Sequence, residues 1–413
     1  MFSFYLTKIQ IEKVRHLENI IIPLESNEKK HLILTGKNGS GKTSVLEALS
    51  GQLNYLATKG DFTERQALKS IYDAQLKEPS KSENDKADVK KRLARFEKEE
   101  DAARNGLELK FNIPINSIKA HFDQSDFVLA FYQATRVFEA EIPRHVEKVQ
   151  LKDQYTIKES PRKEFIKYIL DLKMTEALAM TSGNNERAEK IHNWFSHFDG
   201  LLKQIYQDDS IRMDFNMDTF EFTIHQDHRE PFSFNELSDG YAAILDIVVD
   251  LMVRMEKHLN EGLKFDLPGI VLIDEIETHL HLEMQKNVLG FLENVFPNIQ
   301  FIVTTHSPFV LSGTKNAVVY DLENHTLVKD GLTDLPYDGI VEGYFKADAL
   351  SKELRNKFNR YQALVNKEIL TDEEMEDISN LELYLDEIPD YLALGVTTEY
   401  RRLKAAFEAR EDL

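Results

Sequence analysis

The chain has 413 residues, 42% of them hydrophobic, with no cysteine and a formal net charge of −20. That length holds two or three domains, or one large domain with insertions, and the composition supports a buried core. Disulfides and thiolate metal sites are excluded, no run of about eighteen apolar residues can cross a bilayer, and the acidic balance argues against nonspecific nucleic-acid binding by the whole surface.

The opening MFSFYLTKIQIEKVRHL is broken by charges and lacks the basic-then-apolar plan of a secretory signal, so the expected location is cytoplasmic. Residues Phe4 to Ile11 alternate apolar and polar as a half-buried strand does. Strands are predicted at Ile20 to Leu24 and at His31 to Thr35, the latter running into a glycine-rich turn. A helical pattern begins at Lys42 with Val45, Leu46 and Leu49 on one side. Residues 60–106 are rich in Lys, Glu, Asp and Ala, with helical patterns over 61–77 and 85–104 broken at Pro79-Ser80. They read as a solvated helical hairpin inserted in the main domain. Its Lys90, Lys91, Arg92 and Arg95 are interleaved with acids, as on a plain solvated face.

Strands return at Leu107 to Ile113 and Phe127 to Tyr132, and a helical lobe follows over 161–207. A hairpin is predicted from Ile211–Phe215 and Thr219–Ile224, and a helix after Ser238. Gly269–Ile273 and Phe301–Thr304 are apolar without alternation, which suits central strands buried on both faces. Past Gly331 the chain is mostly helical. No Lys or Arg occurs from 369 to 400, while Ile378, Leu381, Leu385 and Ile388 fit one helical face, expected to pack on the head.

Four motifs carry chemistry. Gly36-Lys37-Asn38-Gly39-Ser40-Gly41-Lys42-Thr43, followed by Ser44, matches G-x-x-x-x-G-K-[ST] between a strand and a helix. Such a loop turns backbone N–H groups toward phosphate, with Lys42 on the β- and γ-phosphates and Thr43 on Mg²⁺. Gly269 to His281 is an apolar strand ending in Asp274 and Glu275. Carboxylates at that edge suit a magnesium ligand, Asp274, and a base that polarises water, Glu275. His306 follows an apolar strand in IVTTHSP and is placed to bond the γ-phosphate or order the water. In NELSDGYAAIL, Ser238, Gly240 and a helix N-terminus form a candidate anion site.

The order of these motifs resembles the ABC-type ATPases. The resemblance implies an α/β P-loop NTPase fold of ABC type, a mixed central sheet with an antiparallel N-terminal part, helical inserts and a helical C-terminal tail. It also implies an ATP and Mg²⁺ requirement, with Gly36–Thr43 as Walker A, Leu237–Gly240 as signature, Asp274 and Glu275 as Walker B acid and catalytic base, and His306 as switch histidine. Gln133 in FYQATR matches the Q-loop glutamine that touches Mg²⁺, and Ile276–Leu280 the D-loop. In this family two heads close head to tail, so Ser238 and Gly240 are expected to act on the partner's nucleotide in a homodimer or higher oligomer.

Ser238 and Asp274 stand 36 positions apart (238 to 274), and the signature reads LSDGY rather than LSGGQ. Both departures resemble the soluble RecF, SMC and OLD-like group, as do LTKIQIEKVRHLENIIIPL and TTHSPFVLSG; Arg15 matches a basic position near the nucleotide there. No Asp-x-Asp pair in an apolar strand follows His306, so no nuclease is expected on this chain. Small relatives of this kind include ATPase subunits of anti-phage systems such as Septu, PARIS and retron modules, where a separate nuclease or toxin is the partner. The expectation is therefore an ATPase that couples dimerisation to a partner effector, without a membrane partner. The competing expectation is a RecF-like ATPase that binds duplex DNA. The expected organisation is a head from 1–59, 107–160 and 208–345, a hairpin at 60–106, a lobe at 161–207 and a tail at 346–413.

Overall fold

A computed structural model describes residues 2–60, 63–78, 82–136, 143, 145–256, 265–333, 339–340, 352–367, 369–386 and 394–410. The chain forms two compact units, Met1–Leu335 and Pro336–Leu413.

In the first unit, β1 (Leu6–Val14) and β2 (Leu17–Pro23) pair antiparallel, and β4 (Leu107–Phe111) joins β1 on its other edge. Along β1 the period of two puts the buried Ile9 and Ile11 on one side, and a register shift between Leu6 and Lys8 interrupts that alternation, with Leu6 buried as well. The central sheet has six strands in the order β12-β11-β3-β10-β9-β5: β3 (His31–Thr35), β5 (Val128–Tyr132), β9 (Gly269–Ile273), β10 (Ile299–Thr304), β11 (Ala317–Asp321) and β12 (Thr326–Val328). Every pairing except that of edge strand β12 is parallel. β3, β9 and β10 are buried at every residue, which explains their mostly apolar composition; the buried Gln300 of β10 is satisfied by the Leu6 backbone and the Lys30 carbonyl. The antiparallel N-terminal part expected within the mixed sheet is thus a sheet of its own.

Helix α1 (Lys42–Lys59) follows β3 directly. Helices α2 (Thr63–Lys77) and α3 (Glu83–Arg104) occupy the stretch read as an inserted hairpin, and Ser82 caps α3 by accepting from the Asp85 amide at 3.2 Å. Arg92 pairs with Asp88 at 2.8 Å and Arg95 with Glu99 at 3.0 Å, so those cations are spent on their own helix. The short α4 (Ile118–Asp123) precedes β5.

Helices α5 (Phe165–Thr181) and α6 (Asn185–Tyr206) pack around Phe165, Trp194 and Phe198, whose rings lie within 6.4 Å of one another. A small antiparallel sheet follows, β6 (Arg212–Phe215), β7 (Phe222–His225) and β8 (Phe232–Ser233). Its second strand starts three residues later than predicted, because Asn216 Oδ1 accepts from the Asp218 and Thr219 amides and holds that stretch as a turn. Helix α7 (Asp239–Met255) starts after Ser238, and α8 (Leu282–Val295) and the short α9 (Pro308–Leu311) complete the unit.

In the second unit, α10 (Lys352–Val365), α11 (Asp372–Asp386) and α12 (Leu394–Glu408) share a core of Phe358, Tyr361, Ile378, Leu381, Leu385, Tyr400 and Phe407. The apolar face of α11, expected to pack on the head, is taken up inside this unit; Ile388 lies outside the described residues. The acids of α11 are met by Arg360 on Asp377 at 2.6 Å and Lys404 on Asp386 at 2.8 Å, which supply the cations the helix itself lacks.

Candidate nucleotide site

The four strands β3, β10, β9 and β5 are neighbours and run parallel, so the motifs that follow them emerge at one edge of the sheet. β10, which carries His306 beyond its end, lies between the phosphate-loop strand and the acid-tipped strand.

The loop leaves β3 at Gly36 and enters α1 through Gly41, whose φ of 98° is left-handed; a Cβ there would also lie 2.7 Å from Leu17 Cδ1. Only glycine makes that entry without strain. Lys42 is buried, and its ammonium donates to the carbonyl oxygens of Gly36 at 2.9 Å and Lys37 at 3.1 Å, which closes the loop on itself. Burial lowers the Lys42 pKa, while the carboxylates of Glu275, Glu277 and Asp274 raise it. The buried Ser40 hydroxyl has no hydrogen-bond partner among the described residues.

Asp274 binds the two sides together. Its Oδ2 accepts from the Thr43 hydroxyl at 2.9 Å and its Oδ1 from the Thr304 hydroxyl at 2.6 Å. Thr304 Oγ1 in turn accepts from the Glu275 amide at 2.7 Å. Glu275 has φ 47°, a left-handed conformation that costs a non-glycine residue and is concentrated at functional turns. The Glu277 carboxylate accepts from the His306 amide.

Arg15, His16, Asn38, Gly39, Gly41, Lys42, Thr43, Ser44, Glu275 and His306 line one cavity of about 240 Å³. It therefore joins nine of the residues singled out from sequence, with Asp274 directly behind Thr43. Arg15 is mostly exposed and lies 3.8 Å from Glu47. Burial first, and the Lys42 charge second, hold His306 below its ordinary pKa, which favours the neutral ring.

Of the predicted phosphate-loop residues, Gly36, Lys37 and Ser40 do not line this cavity, and Lys37 and Ser40 line a neighbouring one. Three further predicted residues lie away from the loop. Gln133 is exposed and lines a different cavity of about 430 Å³ with Glu47, Arg136 and Asp246. Ser238 is exposed at the start of α7 and its side chain caps no backbone amide. Gly240 is buried against the stretch 279–280 of the same chain, where a Cβ would sit 2.8 Å from the His279 carbonyl oxygen. Sequence reasoning missed Thr304, whose signal was a hydroxyl at the end of an otherwise apolar strand. It also missed His16, Glu323 and His325, which line a second cavity of about 480 Å³ bordered by Lys37 to Ser40 and carried no motif.

The donor set fits a magnesium nucleotide. A lysine ammonium, an unpartnered serine hydroxyl and the start of α1 converge as a phosphate cradle. One threonine hydroxyl and one carboxylate 2.9 Å apart match the sparse protein ligation of Mg²⁺, which keeps water and phosphate oxygens as its other ligands.

A parallel sheet that brings a phosphate loop, an acid-tipped strand and a histidine to one edge defines a P-loop ATPase head of ABC type, with an α/β fold. The chain belongs to the family described as "AAA domain, putative AbiEii toxin, Type IV TA system", matched over residues 32–312. It is similar to Septu protein PtuA of Bacillus mycoides (strain KBAB4), 26% identical over 421 residues, covering 98% of this chain and 53% of that protein. It is also similar to "Retron Vc95 probable ATPase" of Vibrio cholerae serotype O1 biovar El Tor, 45% identical over 94 residues, covering 22% of this chain and 18% of that protein. The chain thus spans about half the length of the Septu relative. Among solved structures, an SMC head domain from Thermotoga maritima aligns at 11% identity and TM-score 0.36 over 76% of this chain and 94% of its own. Among the described residues no helix is long and apolar enough to cross a membrane.

Proposed function

We propose that the chain is a magnesium-dependent ATPase that dimerises head to tail around ATP and couples this cycle to a partner effector, a nuclease or toxin, in anti-phage defence in the cytoplasm. The observation that carries the ATPase reading is the single cavity that joins Lys42 and Thr43 to Glu275 and His306.

Lys42 and the loop amides bind and orient the β- and γ-phosphates; Thr43 and Asp274 would hold Mg²⁺, which supplies charge neutralisation on the phosphate oxygens. Glu275, half-buried at the cavity wall, orients the attacking water and takes its proton. The neutral His306 ring hydrogen-bonds at the γ-phosphate end. Ser238, exposed at the N-terminus of α7, would face the partner head's nucleotide, and the exposed position supports that role in trans. The Septu and retron names of the relatives support the defence part of the reading.

The test is isolation of the Glu275→Gln protein from its native cell with ATP and Mg²⁺, followed by mass spectrometry and nucleic-acid staining, with Lys42→Ala as control. A stoichiometric nuclease or toxin lost in Lys42→Ala is the expected result. DNA recovered without a protein partner would overturn the effector reading in favour of a RecF-like clamp.

A further inference from the structure

Arg136 sits three residues beyond Gln133 and is 5% exposed. Its Nη1 donates to the carbonyl oxygen of Asp274 at 2.7 Å and to that of Gln133 at 3.2 Å. Its Nη2 donates to the carbonyl oxygens of Glu275 at 2.9 Å and Ile276 at 3.4 Å. One guanidinium therefore gathers three consecutive carbonyls of the turn that carries Glu275 and joins them to the loop after β5. We infer that Arg136 is a positioning residue for the proposed hydrolysis: it holds the 274–276 turn so that Glu275 faces the nucleotide, and links that turn to the loop after β5. The inference rests on the ATPase reading above and adds to it a residue outside the four motifs.

Three observations carry it. The turn puts Glu275 at φ 47°, a conformation that costs a non-glycine residue and persists where the surroundings hold it. The Glu275 amide is fixed from one side by Thr304 Oγ1 and its carbonyl from the other by Arg136, which leaves the carboxylate as the group that reaches the cavity. Arg136 itself does not line the phosphate-loop cavity. It acts on Glu275 through the backbone and not on the nucleotide.

Burial works against the Arg136 charge, and carboxylates oppose that effect, Asp246 foremost. Asp246 is fully buried on α7, lies 2.6 Å from Arg162 Nε and lines the same cavity of about 430 Å³ as Arg136. On the same helix Asp250 accepts from the Tyr132 hydroxyl at 2.8 Å, at the end of β5. The helix that begins at the signature, the loop after β5 and the turn bearing Glu275 thus meet around one buried guanidinium. Its planar fork is what spans separate carbonyls; an ammonium at this depth is a point charge that cannot hold the same set.

The test compares the wild-type chain, Arg136→Lys and Arg136→Ala by two measurements: steady-state ATP hydrolysis with Mg²⁺, and hydrogen exchange of peptides covering 270–285 and 36–46. The expected result is a fall in kcat on the order of 100-fold with KM for ATP unchanged, faster exchange in 270–285, and preserved exchange in 36–46. Arg136→Lys keeps the buried charge and guards against a fold lost in Arg136→Ala. Wild-type kcat and wild-type exchange in Arg136→Lys would overturn the inference. So would a raised KM with unchanged kcat, which would place Arg136 in nucleotide binding. If the wild type shows no turnover that Lys42→Ala removes, the ATPase reading fails. The exchange comparison then still decides whether Arg136 holds the turn.

Discussion

The Thr43 hydroxyl donates to Asp274 Oδ2 at 2.9 Å, joining the first turn of the phosphate-loop helix to the end of β9. Thr304 occupies the other oxygen of the same carboxylate at 2.6 Å, so Asp274 is oriented by two threonines, one in the first turn of α1 and one at the end of β10. Replacing Thr43 with alanine removes a hydroxyl at the proposed metal position and leaves Asp274 held by Thr304 alone. ATP affinity of the wild type, measured by calorimetry, should be tighter with Mg²⁺ than with a chelator. Thr43→Ala should lose that increment and keep the metal-free affinity. Equal Mg²⁺ gains in both proteins would take Thr43 out of the metal site.

Glu275→Gln keeps the side chain's volume and removes its basicity. A positioned general base contributes roughly 10²–10⁴-fold to rate, so kcat should fall by that factor while ATP remains bound. Light scattering on the ATP-loaded variant should give a dimer mass that the nucleotide-free protein lacks. Wild-type turnover in this variant would remove Glu275 from the chemistry, and a monomer mass with ATP bound would count against closure around the nucleotide.

Ser238→Arg tests the role in trans by separating two properties. Ser238 is exposed, its side chain caps no amide, and it is absent from the wall of its own chain's phosphate-loop cavity. A large cation there should leave ATP affinity of the single head unchanged and abolish the ATP-dependent dimer. Loss of nucleotide binding by the isolated head would mean that Ser238 serves its own site. Gly240 is a poorer test, because a side chain at that position meets the His279 carbonyl of the same chain at 2.8 Å and would disturb the 276–280 stretch whatever the partner does.

The parts of the site readable from sequence are those in which local chemistry and local backbone coincide. A phosphate loop is contiguous, so Gly36 to Thr43 announce it, and an apolar strand tipped by Asp274 and Glu275 announces its place at a sheet edge. The order β3-β10-β9 is not local, and it is what brings His306 to the same cavity. Arg136 was invisible for a further reason: it works through backbone carbonyls, which leave no side-chain pattern at Asp274, Glu275 or Ile276. Strands β11 and β12 went unread because no motif follows them to draw notice, although β11 is buried along its whole length and pairs with β3. In the C-terminal unit the helical period was legible on α11, but which surface would cover it was not. Its cover, Phe358, Tyr361, Tyr400 and Phe407, comes from two helices whose own patterns are equally compatible with other docking.

The strand that feeds the phosphate loop begins with a buried histidine, and this makes stability depend on pH near neutrality. His31 has no exposed surface; its Nδ1 accepts from the Phe301 amide at 3.0 Å, and its Nε2 lies 3.5 Å from a Glu293 oxygen. Burial holds its pKa below 6.5, against the opposing pull of Glu293. The folded state therefore keeps the ring neutral where the unfolded chain already binds a proton. Stability from this group is complete above the unfolded value of 6.5 and falls as pH drops below it, by at most about 1.4 kcal/mol per pH unit. Glu293 acts in a separate window. The His31 ring 3.5 Å away is the first cause that holds its carboxyl at about 2, with Asn316 and Thr314 donating to it, so its contribution is present above the ordinary value of 4.5 and lost between there and about 2. His31→Asn should retain an acceptor for the Phe301 amide and remove the titration. Its melting temperature should lie below the wild type's at pH 8 and decline less steeply from pH 7 to 5.5 than the wild type's, the remaining slope coming from His306 and His197, which burial also holds below the ordinary value. A parallel decline in both proteins would assign the neutral-range sensitivity to another group.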